Sequence, residues 1–276
     1  MKLRVVELLL VTTVPTMVLA NQGWPSIQRM VVTLVGGTLA AGGANAINMY
    51  IDRDIDKLMV RTQNRPLVTG ALTPRAAMIF AIALEIIAFC VLWAGANLLA
   101  AILAVTATLF YVFVYSLWLK RTSKQNIVIG GAAGAMPVLV GWAAVTNSLG
   151  WAPVVLFVVI FLWTPPHFWA LAIRHADDYK AAGVPMMPVV VSLERTVRSM
   201  TVYALLLTIS TLVLIPIAEL GWIYGVTALV FGVAFVIGAV QLGSDPSEKR
   251  SMRLFTFSIT YVTAVFVALT VDVLLR

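Results

Sequence analysis

The stretch MVVTLVGGTLAAGGANAINMYIDRDIDKLMVRTQNRP, Met30 to Pro66, runs from one environment into another. Residues 30–47 carry no charge. Asn48 to Pro66 then holds Asp52, Asp54 and Asp56 among Arg53, Lys57, Arg61 and Arg65. An uncharged run of that length, followed at once by paired charge, reads as a membrane span reaching one surface of a bilayer. The rest of the chain repeats the pattern. Of its 276 residues only 11% are charged, and the mean hydropathy is +0.97. Soluble domains carry about 25% charged residues, so a water-soluble fold is excluded.

Apolar blocks predict nine helices, at about 5–20, 30–50, 74–94, 97–118, 127–145, 151–172, 198–218, 221–243 and 252–274. The expected fold is therefore an all-α polytopic membrane protein, nine transmembrane helices in one bundle, with residues 1–276 as one domain. The first block has Glu7 near its start and no small-residue cleavage pattern after Leu19. It is read as a retained span and not a removed signal. With the N-terminus in the cytoplasm, every lysine and arginine except Arg29 and Arg276 falls on the cytoplasmic side. That includes Lys2 and Arg4 and matches the positive-inside bias. The net charge of +7 is thus a topology signal spread over several connections, not a nucleic-acid patch. Trp24, Trp118, Trp142, Trp151 and Trp222 stand near span ends, as interfacial aromatics do. The lone Cys90 can form no internal disulfide.

Two connections, about 51–73 and 173–197, are longer than a tether needs and mix acids with bases. If the second span stays helical to its end, four residues advance about 400°. Asn48, Asp52 and Asp56 then form one stripe, with Asp54 roughly opposite. Neighbouring carboxylates repel unless a cation lies between them. Mg²⁺ suits carboxylate and phosphate oxygens. Arg61 and Arg65 follow four residues apart, and guanidinium groups match phosphate oxygens. Metal-holding acids followed by anion-holding arginines describe a diphosphate site. A solvated loop of ion pairs would use the same residue types.

The second connection begins in HFWALAIRHADDYKAAGVP, His167 to Pro185. His167, Arg174 and Asp178 share a face if the helix is unbroken, and the pair Pro165–Pro166 is expected to disrupt the helix before it. Asp177, Asp178 and Lys180 are placed at the membrane depth of Asp52 and Asp56. His167 is open to three readings: a satisfied polar group, a haem-iron ligand or a base. Lys120, Arg121 and Lys124 lie at the same face. Glu85 lies within a span, where acids are functional candidates or pair with a neighbouring helix.

Asn48-x3-Asp52-x3-Asp56 followed by RTQNRP resembles the first signature of the UbiA-type intramembrane prenyltransferases. With KRTSKQNIVIGGAAGAMPVLVGWAAVT and TPPHFWALAIRHADDYKAAGVPMMPVV, the likeness extends to their protoheme IX farnesyltransferase (haem O synthase) branch and covers essentially the whole chain. The second aspartate pair of many relatives is absent, since Ala182 follows Asp178 at that spacing. This leaves open which of Asp177 and Asp178 binds metal; Asp178 is the expected ligand. The resemblance implies farnesyl transfer from farnesyl diphosphate to a vinyl group of haem B, which is substrate and not prosthetic group. It implies Mg²⁺ on Asp52, Asp56 and Asp178, with Asn48 orienting that shell and Arg61, Arg65, Lys120 and Lys180 neutralising the leaving diphosphate. Arg121, His167 and Arg174 join the expected substrate-binding set, with His167 holding haem. It also implies a bacterial inner-membrane location with a cytoplasmic active site, and a haem A synthase receiving the product. A quinone-precursor acceptor, or an ion-coupled transporter, would make other use of the same residue types.

Overall fold

The computed structural model describes residues 3–245 and 247–276, with side chains from Val11 onward. Glu7, Lys2 and Arg4 of the topology reading lie outside those described side chains. Nine long helices are present among the described residues. They are α1 (Leu3–Asn21), α2 (Ile27–Ile51), α3 (Pro74–Gly95), α4 (Leu98–Thr122), α5 (Asn126–Thr146), α6 (Trp151–Arg174), α7 (Leu193–Ile217), α8 (Trp222–Ser244) and α9 (Glu248–Leu274). The last eight are each long and apolar enough to cross a bilayer. The protein is a multi-pass membrane protein.

The ends of the helices follow from their caps. Ser26, Thr73, Asn97, Ser192 and Ser247 each accept a hydrogen bond from the first turn of the helix they start. Such caps satisfy N–H groups that have no partner inside the helix. They explain why α7 and α9 begin at Leu193 and Glu248, ahead of their apolar blocks. The added first turn is polar and amphipathic, so hydropathy does not register it. Two further expectations are corrected. The helix does not break at Pro165–Pro166; α6 runs through both, and both are buried. Each proline removes one backbone hydrogen bond, but a span enclosed by neighbouring helices tolerates that loss. The helix does break between His167 and Asp178: α6 ends at Arg174, and a separate short helix, Ala176–Ala181, carries the acids.

The outside of the bundle is apolar. Ile79, Phe80, Ile82, Ile86, Ile87 and Trp93 of α3 are exposed, as are Val226, Leu229, Val230, Val233, Ile237 and Val240 of α8. Trp24, Trp118, Trp151 and Trp222 are exposed at helix ends, as expected of interfacial aromatics. Inside, the buried apolar residues of α5 from Ala135 onward join two groups. Ala135 and Val138 pack with α1 and α6–α9, while Val140, Ala143 and Ala144 meet the alanines of α2, α3 and α4. Close approach there needs small residues. At Gly43 a Cβ would collide with Glu85, whose carboxylate accepts from Thr108 Oγ1 at 3.1 and 3.2 Å. Glu85 thus ties α3 to α4 against α2.

At the end of the bundle opposite the acidic connections, Asp272 of α9 is buried. It accepts from the N–H groups of Gly221 at 2.6 Å and Tyr224 at 3.2 Å, and from Arg276 at 3.1 Å. It caps α8 from a neighbouring helix. Asp272→Ala is expected to lower stability by about 2 kcal/mol, seen as a lower melting temperature in detergent. Asp272→Asn, which keeps one acceptor, is expected to lose less.

Candidate functional site

The first acidic connection folds inward. Helix α2 ends at Ile51 with Asp52 as its cap, so the Asn48–Asp52–Asp56 stripe is not one continuous helix, as had been expected. The i→i−4 pitch nevertheless survives at the positions that matter. Asp52 N–H donates to Asn48 O at 2.9 Å, and Asp56 N–H donates to Asp52 O at 2.8 Å. Asn48, Asp52 and Asp56 are all buried, at 4%, 0% and 2% exposure. Asp54 is the exposed one, as its opposite place on the stripe predicts.

Each buried carboxylate meets a cation from further along the chain. Lys120 Nζ bonds Asp52 Oδ2, and Asn48 Nδ2 donates to the same oxygen at 2.8 Å. Arg65 Nη1 donates to Asp56 Oδ2 at 2.5 Å. Thr62 Oγ1 donates to Asp56 O at 2.9 Å and closes the turn between them. Arg121 goes elsewhere. Its guanidinium forks onto both oxygens of Asp54 at 2.7 Å and onto Ile51 O at 3.0 Å, leaving Asp52 Oδ1 3.9 Å away. That fork holds the Asp54 carboxyl well below the usual carboxylate range. Asp52 Oδ1 is buried with no hydrogen-bond partner.

The second connection packs onto the first. Ile55 and Met59 form one cluster with Ile127, Ala172, Ala182, Val184 and Met186, and Tyr115 and Tyr179 lie against it. Arg61 Nη2 donates to Tyr179 Oη at 3.3 Å, with the guanidinium 5.3 Å from the ring centroid. Burial raises the pKa of Tyr179. Asp178 is half-buried, while Asp177 and Lys180 are exposed. Among the described residues, no three acidic, histidine or cysteine side chains converge closely enough to hold a metal ion. Asn48, Asp52, Asp56, Arg65 and Lys120 are therefore brought together, and Arg61 stands at the seam between the connections. Arg174 instead pairs with Glu248 of α9 at 3.1 Å. His167 lies two turns deeper, stacked between Trp163 (4.1 Å) and Phe255 (4.5 Å), with Nδ1 2.6 Å from Ser258 Oγ.

Residue types alone did not single out Ser116, Tyr111, Tyr115, Thr62 or Tyr179. Ser116 Oγ accepts from Asn48 at 2.9 Å and donates to Tyr111 O at 2.9 Å. The latter spans five residues because Phe110–Leu119, in the second half of α4, is wound as a π-helix. Such winding turns side chains relative to an α-helix and is common at functional sites. A serine in the apolar run FYVFVYSLWLK was the one available signal.

Residues 9–265 match the UbiA prenyltransferase family. The chain is 52% identical over 280 residues to the protoheme IX farnesyltransferase of Frankia casuarinae, covering 99% of this chain and 96% of that protein. It is 48% identical over 281 residues to the protoheme IX farnesyltransferase of Streptomyces coelicolor, covering 100% and 89%. Its fold matches a digeranylgeranylglyceryl phosphate synthase with a TM-score of 0.82 at 18% identity, over 99% of this chain and 95% of that one. It matches a UbiA homologue from Archaeoglobus fulgidus, bound to GPP and Mg²⁺, with a TM-score of 0.70 at 19% identity, over 97% of each. The buried Asn–Asp–Asp end therefore sits in a chain similar to prenyltransferases along nearly all its length, and the chain belongs to the UbiA prenyltransferase family.

Proposed function

We propose that the chain transfers a farnesyl group from farnesyl diphosphate to a vinyl group of protoheme IX, giving haem O and diphosphate, at the cytoplasmic face of a bacterial inner membrane. Haem is the acceptor. The observation that carries the reading is the pair of carboxylates buried at a membrane-bundle end, each closed on a cation that suits phosphate. The 52% and 48% identity to relatives named for this reaction, over 96% and 89% of their lengths, supports the choice of donor and acceptor.

The site fits Mg²⁺ by the chemistry of its donors. Its acceptors are hard oxygens, and one of them, Asp52 Oδ1, is buried with nothing to bond. Asp52 and Asp56 would hold the ion, Asn48 would orient them, and Asp178 would be supplied by the second connection. When bound, Mg²⁺ supplies charge stabilisation to a departing diphosphate. The chain's own residues do the rest. Lys120, Arg65 and Arg61 are released onto phosphoryl oxygens and neutralise the charge that develops there. The carbon–oxygen bond of the allylic diphosphate breaks with its electron pair leaving on diphosphate. The vinyl π pair forms the new carbon–carbon bond, and the cation left beside the porphyrin ring takes hydroxide from water, whose proton departs to solvent. The bundle's apolar walls keep water from the allylic cation before that attack. His167, enclosed by Trp163, Phe168 and Phe255, is assigned to packing between α6 and α9. The transporter reading has little support: Glu85, the acid of α3, is already engaged by Thr108. A haem A synthase remains the proposed recipient of the product.

Membranes containing the protein, given farnesyl diphosphate and haem B, are expected to yield haem O by mass spectrometry. Prenylation of an aromatic acid in place of haem would replace the acceptor, and no prenyl transfer to either would defeat the proposal. Chelation with EDTA is expected to abolish turnover, and added Mg²⁺ to restore it. Asp56→Asn is expected to reduce turnover by about 10²–10³-fold while the protein stays folded by circular dichroism.

A further inference from the structure

Asn126 is fully buried, and neither its Oδ1 nor its Nδ2 has a hydrogen-bond partner. A buried carboxamide with nothing to bond is rare and calls for an explanation. Asn126 is the first residue of α5, just after the turn that follows Lys120, Arg121 and Lys124. The cap residue Gln125 offers no side-chain bond to that turn. Asn126 N–H donates to Ser123 O at 3.2 Å, but no side chain caps the N-terminus of this 21-residue helix, which is an electropositive end.

The direction of the side chain follows from helix geometry. Residues four apart share a face, and the Cα–Cβ bond tilts toward the helix N-terminus. Gly130, one turn along from Asn126, faces the Tyr115 ring so closely that a Cβ there would collide with it. Tyr115 precedes Ser116, which bonds Asn48. Ile127, beside Asn126, lies in the cluster that joins the two acidic connections. The carboxamide thus faces the π-wound part of α4 and reaches toward the end of the bundle where Asp52 Oδ1 also lacks a partner. One carboxylate oxygen without a hydrogen bond, on Asp52, and one amide without any, beside a helix N-terminus, suit the two halves of a metal diphosphate.

We propose that Asn126 is a further substrate-binding residue, whose Nδ2–H donates to a phosphoryl oxygen of the prenyl diphosphate with the α5 N-terminus behind it. This rests on the reading of the chain as a prenyl-diphosphate-dependent transferase. It adds a neutral donor on α5 to the charged groups of α2, α4 and their connections. The donor is neutral, so it forms no competing ion pair with Asp52 or Asp56, and it stays free for the substrate.

The test separates binding from folding. Leucine has nearly the shape of asparagine, and replacing an unpaired buried amide by an apolar group of the same shape is neutral or stabilising. Asn126→Leu is therefore expected to melt at or above the wild-type temperature without ligand. Its affinity for a non-hydrolysable farnesyl thiodiphosphate with Mg²⁺ is expected to fall about tenfold or more, by calorimetry. Asn126→Asp, which loses the donor and adds a negative charge, is expected to lose more affinity than Asn126→Leu, and it serves as the test should the leucine variant fail to fold. Wild-type affinity in either folded variant would overturn the assignment while leaving the proposed function intact. A lowered melting temperature with unchanged affinity would overturn it too, by making the amide a structural group bonded to trapped water. No binding of the analogue by the wild-type protein would overturn the proposed function, and this assignment with it.

Discussion

Burying two carboxylates at the end of a membrane bundle is the constraint on which the rest of the site depends. Taking such a charge out of water costs several kcal/mol unless a counter-ion and hydrogen bonds offset it. Asp52 obtains Lys120 and Asn48, and Asp56 obtains Arg65. Those partners fix geometry as well as charge. Lys120 stands 68 residues from Asp52 in sequence, at the end of α4, so the pair draws the end of α4 against the end of α2. The Asn48–Ser116 bond pins the same two helices a turn deeper. The π winding of Phe110–Leu119 lets Ser116 and Lys120 both meet that demand. A regular α-helix would place them at a different angle.

The fold was legible because hydropathy reports what lipid requires. Every span stood near its apolar block, and the exposed tryptophans lay near the span ends. Where the reading slipped, a second signal had overruled hydropathy. Ser192 and Ser247 cap polar first turns that an apolar window passes over. The proline pair in α6 looked like a break because proline costs a soluble helix heavily. Inside a bundle, the lost bonds are shielded and the helix runs on.

The site was half legible. Asn48, Asp52 and Asp56 could be sorted from Asp54 by angle alone, and burial divides them the same way. Which cation meets which acid could not be read, because it depends on how α4 docks. Lys120 and Arg121 are adjacent in sequence, yet one is committed to the buried Asp52 and the other to the exposed Asp54. Arg61 shows the same limit. Four-residue spacing groups it with Arg65, but a separate connection supplies its partner, Tyr179. Asn126 carries no charge and begins an apolar run, so nothing in its local sequence marked it. Its lack of a partner is visible only in the packed structure.

The two ion pairs also bear on how the site would load. Asp52 and Lys120, and Asp56 and Arg65, form two neutral pairs, so the buried charge sums to zero. A divalent cation alone would leave Lys120 and Arg65 unpartnered beside added positive charge. A diphosphate alone would do the reverse, leaving the carboxylates unpartnered beside added negative charge. A cation and a diphosphate arriving together let all four side chains exchange partners with little change in net charge, the acids turning to the metal and the bases to phosphate. Uncompensated buried charge is the costly state, so joint loading is the path that avoids it. The same argument accounts for a neutral amide, and not a third cation, at the start of α5. Another buried cation would need another acid, and the buried acids among the described residues, Asp52, Asp56 and Asp272, each already hold a basic partner.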